Sequence, residues 1–158
     1  MGFSAGGHLA STLATHSDSG NVDNQDPVGR YSCVPNLCIL SYPVIMMEGP
    51  YAHWGSRRFL LGPTSRPEDI DELSNERHVS GITPPTILFH TSDDVVVPVQ
   101  NSINYYLALR KYGIPAEMHI FEHGAHGVGL IVEDYGLSQW EGLLENWLVR
   151  WKWIIKDK

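Results

Sequence analysis

Three residues have the types and the order that nucleophilic acyl transfer needs. They are a serine in Gly2-Phe3-Ser4-Ala5-Gly6, an aspartate just past an apolar run at Asp94, and a histidine among small residues at His126. A serine hydroxyl is a poor nucleophile until a base takes its proton, and the imidazole that does so needs an acid to hold its orientation. G-x-S-x-G suits a strand that turns abruptly into a helix with the serine at the apex. Glycines on either side keep side chains away from the neighbouring strand and helix, and the amide end of the helix favours negative charge. The pentapeptide alone is a weak signal, since Gly and Ser are common. The helical pattern directly after Ser4 strengthens it, while the strand that should lead into it would precede Met1.

The acid and the base of this trio each have a rival. Asp93 adjoins Asp94, and both follow a strand pattern, on the rim where parallel sheets place their ligands. The alternative role for such an aspartate is to cap its own loop by accepting bonds from nearby amides. His123 competes with His126, but it precedes the glycines and is expected to face solvent. His8, one helical turn past Ser4, reads as structural, and His119 as a half-buried sheet residue. His16, His53, His78 and His90 show no ligand spacing, so neither a metal nor an organic cofactor is expected.

The elements that would position these groups follow from periodicity. Residues 5–15 read as a helix with Leu9, Ala10, Leu13 and Ala14 on one side. A polar loop runs from His16 to Pro27, and Leu37–Tyr42 suits a buried strand ending before Pro43. Irregular chain follows to Ser80, with short helices expected around Arg57–Leu61 and Glu68–Leu73. Thr86–His90 reads as a fully buried strand. Asn101–Tyr112 reads as a helix with Ile103, Tyr106 and Leu107 inward, stopped at Gly113, and Glu117–Phe121 as a further strand. Ser138 and Glu141 form a capping-box pattern before a last helix with Trp140, Leu143, Leu144, Trp147, Leu148 and Trp151 on one stripe. That stripe reads as sheet packing. Strand and helix alternate, which implies parallel strands joined by right-handed crossovers in an α/β fold.

Composition narrows the rest. The chain has 158 residues, 42% hydrophobic and 18% charged, enough for one globular unit with a core. A formal net charge of −7 argues against a nucleic-acid surface, and the Arg57-Arg58 pair reads as a solvated helix face. Cys33 and Cys38 are expected as packed thiols, with a disulfide the competing reading. No window holds the roughly 18 apolar residues of a membrane span, and no signal peptide is visible.

Together GFSAGGHLAS, HTSDDVVVPVQNS, LRKYGIPAEMHIF and EHGAHGVGL resemble the prolyl-oligopeptidase-like and acetylesterase branch of the α/β-hydrolases, which includes enzymes similar to acetylxylan esterases. The resemblance runs over residues 2–150. It implies an α/β-hydrolase fold represented by its C-terminal portion, in one domain spanning 1–158, with the strands before the elbow missing. It selects Asp94, which fits D-x-x-V-P ahead of Pro98, and His126, which fits G-x-H-G. It implies the Ala5 amide as one oxyanion donor; the family's second donor lies on an HGG-type loop that this sequence lacks. The activity implied is a cofactor-free serine esterase of short-acyl, small-molecule or carbohydrate esters. A serine peptidase of the same superfamily or a non-catalytic remnant are the alternatives. Residues 43–65 read as packing against the core, with a substrate wall the competing possibility.

Overall fold

The apolar runs pair into one parallel sheet. The computed structural model describes residues 1–129 and 137–155. Strands β1 (Gly2–Phe3), β2 (Cys38–Ser41), β3 (Thr86–Thr91) and β4 (Ala116–Phe121) lie side by side in chain order, every neighbouring pair parallel. Sequence periodicity indicates three of these; the two-residue β1 is too short to leave a pattern.

Side chains alternate across a strand, so each sheet face collects its own core. On one face Cys38, Leu40 and Leu88 pack with Ala14 of helix α1 (Ser4–Thr15) and with Tyr105 and Leu109 of helix α4 (Gln100–Lys111). On the other, Ile87 and Phe89 pack under Trp140 and Trp147 of helix α5 (Trp140–Arg150). The Trp/Leu stripe is therefore sheet packing, although Trp151 at its end is exposed. Two short helices, α2 (Trp54–Leu61) and α3 (Pro67–Glu72), fill the irregular region before β3. Among the described residues, no helix is long and apolar enough to cross a membrane.

Several local expectations are corrected. In α1 the buried residues are Gly7, His8, Ser11, Ala14 and Thr15, while Leu9 and Leu13 are exposed. The helix turns its small residues inward because it lies so close to the chain after β2 that a Cβ on Gly7 would stand 2.6 Å from the Pro43 side chain. In α4 the buried residues are Asn101, Ser102, Tyr105 and Leu109; Tyr106 packs partly buried against the same core, and Leu107 faces out. Before α5, Ser138 lies inside a 3-10 turn (Leu137–Gln139) that buries Leu137, and Gln139 takes the N-cap position instead. Both cysteines are free: Cys38 is packed, whereas Cys33 is exposed.

The chain after β2 is held from beneath. Asn101, fully buried, accepts from the amides of Ile45 and Met46 at 3.0 Å each and donates to the carbonyls of Tyr51 and Pro98. Every hydrogen-bonding position of its amide group that this site needs is met, which is what makes a buried amide tolerable. Val44, Ile45 and Met47 are accordingly buried.

Candidate active site

Ser4 sits where β1 becomes α1. Its φ is +50°, a left-handed conformation that costs a non-glycine residue about 1–3 kcal/mol and persists only where the surroundings impose it. Gly2 is part of that imposition, because a Cβ there would meet the Gly6 carbonyl oxygen at 2.1 Å. Gly6 itself has open space around the position a Cβ would take, so the second close approach belongs to Gly7 and not, as the motif suggests, to Gly6. No side chain caps the start of α1. The first-turn amides of an α-helix, that of Ala5 among them, have no partner within the helix.

The structure brings Ser4, His126 and Asp94 into one chain of hydrogen bonds. The Ser4 Oγ lies 2.8 Å from His126 Nε2, and His126 Nδ1 lies 2.7 Å from Asp94 Oδ2. With Nδ1–H donating to the carboxylate, Nε2 carries the lone pair and accepts from the serine hydroxyl. The Asp94 side chain is fully enclosed and that of His126 is 16% exposed, so the acid is shielded while the base edge stays open. The other Asp94 oxygen accepts from the amides of Val96 and Val97, both at 2.9 Å. A buried carboxylate thus has partners on both oxygens, as burial of a charge requires.

Asp93 points elsewhere. It is exposed, accepts from the Gly124 amide at 2.9 Å and stands 3.1 Å from His123 Nδ1, which lowers its pKa from the ordinary value. It ties the loop after β3 to the loop after β4. His123 is exposed and its ring pairs with Asp93, whereas it is His126 that contacts Ser4. His8 is buried with Nε2 2.9 Å from the Leu73 carbonyl, and burial lowers its pKa, a structural arrangement. His119 is partly buried and stacks on Phe89.

The loop carrying His126 depends on backbone freedom. Gly124, Gly127 and Gly129 all have positive φ, and a Cβ on Gly124 would strike Thr91 and Leu137. Thr91 Oγ1 donates to the Gly124 carbonyl at 2.7 Å.

Two residues shape this site without being legible as site residues. Tyr42, at φ +38°, follows β2 and sets its ring edge-on to the imidazole of His126 at 5.0 Å. Its hydroxyl accepts from the Gly129 amide at 3.0 Å, so it grips the His126 loop at two points. The only signal in the sequence is an aromatic directly before Pro43, which is common at strand ends. His90, fully enclosed, places Nε2 2.9 Å from the Val97 carbonyl and 3.4 Å from Asp94 Oδ2, while Nδ1 lies 2.7 Å from Ser102 Oγ. Burial lowers its pKa more than the nearby Asp94 raises it, which favours the neutral ring. It floors the carboxylate.

The segment 43–65 divides. Its first half packs, as Val44, Ile45 and Met47 show; its second half leaves Trp54 and Phe59 exposed, with the Arg57 guanidinium over the Trp54 ring at 4.9 Å. Between this second half and α1 runs an apolar groove of ≈ 650 Å³, touching Ala5, His8, Met47, His53 and Phe59. It begins at the residue after the serine.

A family model, BD-FAE, matches residues 1–109. The chain is 41% identical over 142 residues to endo-1,4-beta-xylanase B of Butyrivibrio fibrisolvens, covering 90% of this chain and 22% of that protein. It is 38% identical over 133 residues to an acetylxylan esterase of Xylanibacter ruminicola, covering 82% of this chain and 25% of that one. Among solved structures, an acetyl ester-xyloside bifunctional hydrolase from Caldicellulosiruptor lactoaceticus superposes with a TM-score of 0.92 at 49% identity, covering 98% of this chain and 56% of the other. An esterase from Thermogutta terrifontis with propionate bound superposes at 0.72 and 27% identity, over 99% of this chain and 57% of its own. The chain therefore spans about a quarter of the curated relatives' length and just over half of these structures.

Proposed function

The chain belongs to the BD-FAE family and has the α/β-hydrolase fold, and from that premise we propose that it is a serine esterase of short-acyl esters, with acetyl groups on plant polysaccharide as the substrate class. The observation that carries this reading is the unbroken Ser4–His126–Asp94 chain at 2.8 and 2.7 Å. Relatives named acetylxylan esterase and acetyl ester-xyloside hydrolase support the acyl group and the sugar.

In this reading Ser4 Oγ attacks the ester carbonyl carbon while His126 Nε2 takes its proton. Asp94 holds the imidazole in the tautomer that accepts the proton and stabilises the imidazolium that results. Negative charge then develops on the former carbonyl oxygen, where the Ala5 amide donates to it; one such donor is worth about 2.7–4 kcal/mol in the transition state. His126 returns its proton to the leaving alcohol, and the C–O bond breaks to leave an acyl-serine. A water then gives its proton to His126 as its oxygen attacks the acyl carbon; the acyl C–Oγ bond breaks, His126 passes that proton to Ser4 Oγ, and the acid departs. No step calls on a metal or organic cofactor.

The test is hydrolysis of p-nitrophenyl acetate and of acetylated xylan by the chain and by Ser4→Ala, with a fluorophosphonate probe as a second readout. The expected result is turnover and labelling by the parent, both abolished in the variant. Equal turnover by parent and variant sinks the proposal. Labelling at Ser4 with turnover of the small ester but not of xylan keeps the esterase and removes the polysaccharide.

A further inference from the structure

The far end of α1 gathers a second set of reactive side chains. His16 follows the last turn of α1, Glu72 ends α3, and His78 follows a 3-10 turn (Asn75–Arg77). One ring nitrogen from each histidine and a Glu72 carboxylate oxygen all lie within 4.8 Å of one another. The two imidazoles face each other, with ring centroids 4.9 Å apart, and His16 Nε2 stands 3.5 Å from Glu72 Oε1. Spacings of 56 and 6 residues along the chain resemble no ligand motif, so only the fold assembles this set.

The hydrogen bonds around it settle which nitrogen of each ring is free to bind. The Thr15 hydroxyl spends its proton on the Ser11 carbonyl at 2.8 Å, so at 2.9 Å from His16 Nδ1 it acts as acceptor. The Thr12 carbonyl, also an acceptor, lies 3.1 Å from the same nitrogen. Nδ1 of His16 therefore carries the hydrogen, and its Nε2 turns a lone pair toward Glu72. His78 Nε2 donates to the Asp71 carbonyl at 2.8 Å, which leaves Nδ1 as its lone-pair atom. A lone pair facing a carboxylate is repulsive unless a proton or a cation lies between them. Donation of the second ring N–H to a backbone carbonyl is also how metal-bound histidines are oriented.

We propose that His16, His78 and Glu72 form a binding site for a divalent transition metal, zinc above all. Two neutral imidazoles and one carboxylate are a ligand set zinc accepts, and imidazole disfavours calcium and magnesium. With three protein ligands the fourth tetrahedral position is filled from solvent. The site lies about 18 Å from Ser4, at 1.5 Å per residue along α1, so it performs no step of ester hydrolysis. It clamps the end of α1 to the segment that runs from α3 into the chain before β3, and metal binding to the folded state raises stability by mass action.

Calorimetric titration of the metal-stripped 158-residue chain with Zn²⁺ tests this, beside thermal unfolding with and without the ion. The expected result is one zinc per chain, a melting temperature several degrees higher, and affinity lowered at least about tenfold by His16→Ala and by His78→Ala, since even outer-shell losses cost that much. His123→Ala, next to the exposed Asp93 and Glu122, leaves zinc binding unchanged. His78 is only partly buried, so His78→Ala is expected to retain the parent's circular dichroism, which keeps the test valid if His16→Ala unfolds. No saturable binding, or binding lost in His123→Ala and kept in His78→Ala, overturns the proposal. Esterase activity is expected to stand unchanged in His78→Ala.

Discussion

The two ends of α1 invite comparison, because each draws an imidazole and a carboxylate from distant parts of the chain. At the N-terminal end the acid, Asp94, is fully enclosed and has partners on both oxygens, while the base contacts a hydroxyl held in a left-handed backbone. At the C-terminal end Glu72 is 63% exposed at its side chain, and two imidazoles lie side by side with it. The same residue types thus take different work. Enclosure and a fixed tautomer suit one end to moving a proton, whereas two lone pairs beside an accessible carboxylate suit the other to holding a cation.

Substitutions that keep shape and change chemistry sharpen this contrast. The largest effect is expected from Asp94→Asn, which removes the acceptor that fixes the His126 tautomer; kcat for p-nitrophenyl acetate should fall by roughly 10⁴-fold. Asp93→Asn, one residue away and exposed, should leave kcat within about threefold of the parent, and equal losses in the two would erase the distinction between the adjacent carboxylates. Next comes Tyr42. Tyr42→Ala removes both grips on the His126 loop and should lower kcat by about 10–100-fold with little change in KM. Tyr42→Phe keeps the ring against His126, loses only the bond to Gly129, and should recover most of that loss. A smaller effect concerns pH. His8 and His90 have pKa values lowered by burial, so below about pH 6.5 the unfolded chain takes up protons that the folded chain refuses. Stability should be flat above that value and fall as pH drops through it. Melting temperatures between pH 8 and 5, with His8→Asn flattening the slope, check the sign.

Legibility in the sequence followed the range of the forces involved. Strands β2 and β3 show because a strand buried on both faces needs consecutive apolar residues, and TILFH at 86–90 has little other use. The α5 stripe shows because Trp and Leu at helical spacing leave a wide apolar face. The inward face of α1 does not, since close packing against Pro43 selects small residues there and leaves Leu9 and Leu13 outside. Ser4, Asp94 and His126 are legible as candidates because each sits in a local pattern. Tyr42 and His90 act through tertiary contacts with no pattern of their own, and the His16, Glu72 and His78 set exists only once α1 and α3 are packed.

The Asn101 side chain carries a consequence for the chain's slow opening motions. The amides of Ile45 and Met46 belong to no helix or strand, yet both are bonded to its carbonyl oxygen. In deuterated water an irregular segment ordinarily exchanges its amide hydrogens early, through local fraying. These two should instead exchange with the central strands, on the timescale of cooperative unfolding, so that residues 44–47 behave kinetically as a fifth strand of the sheet.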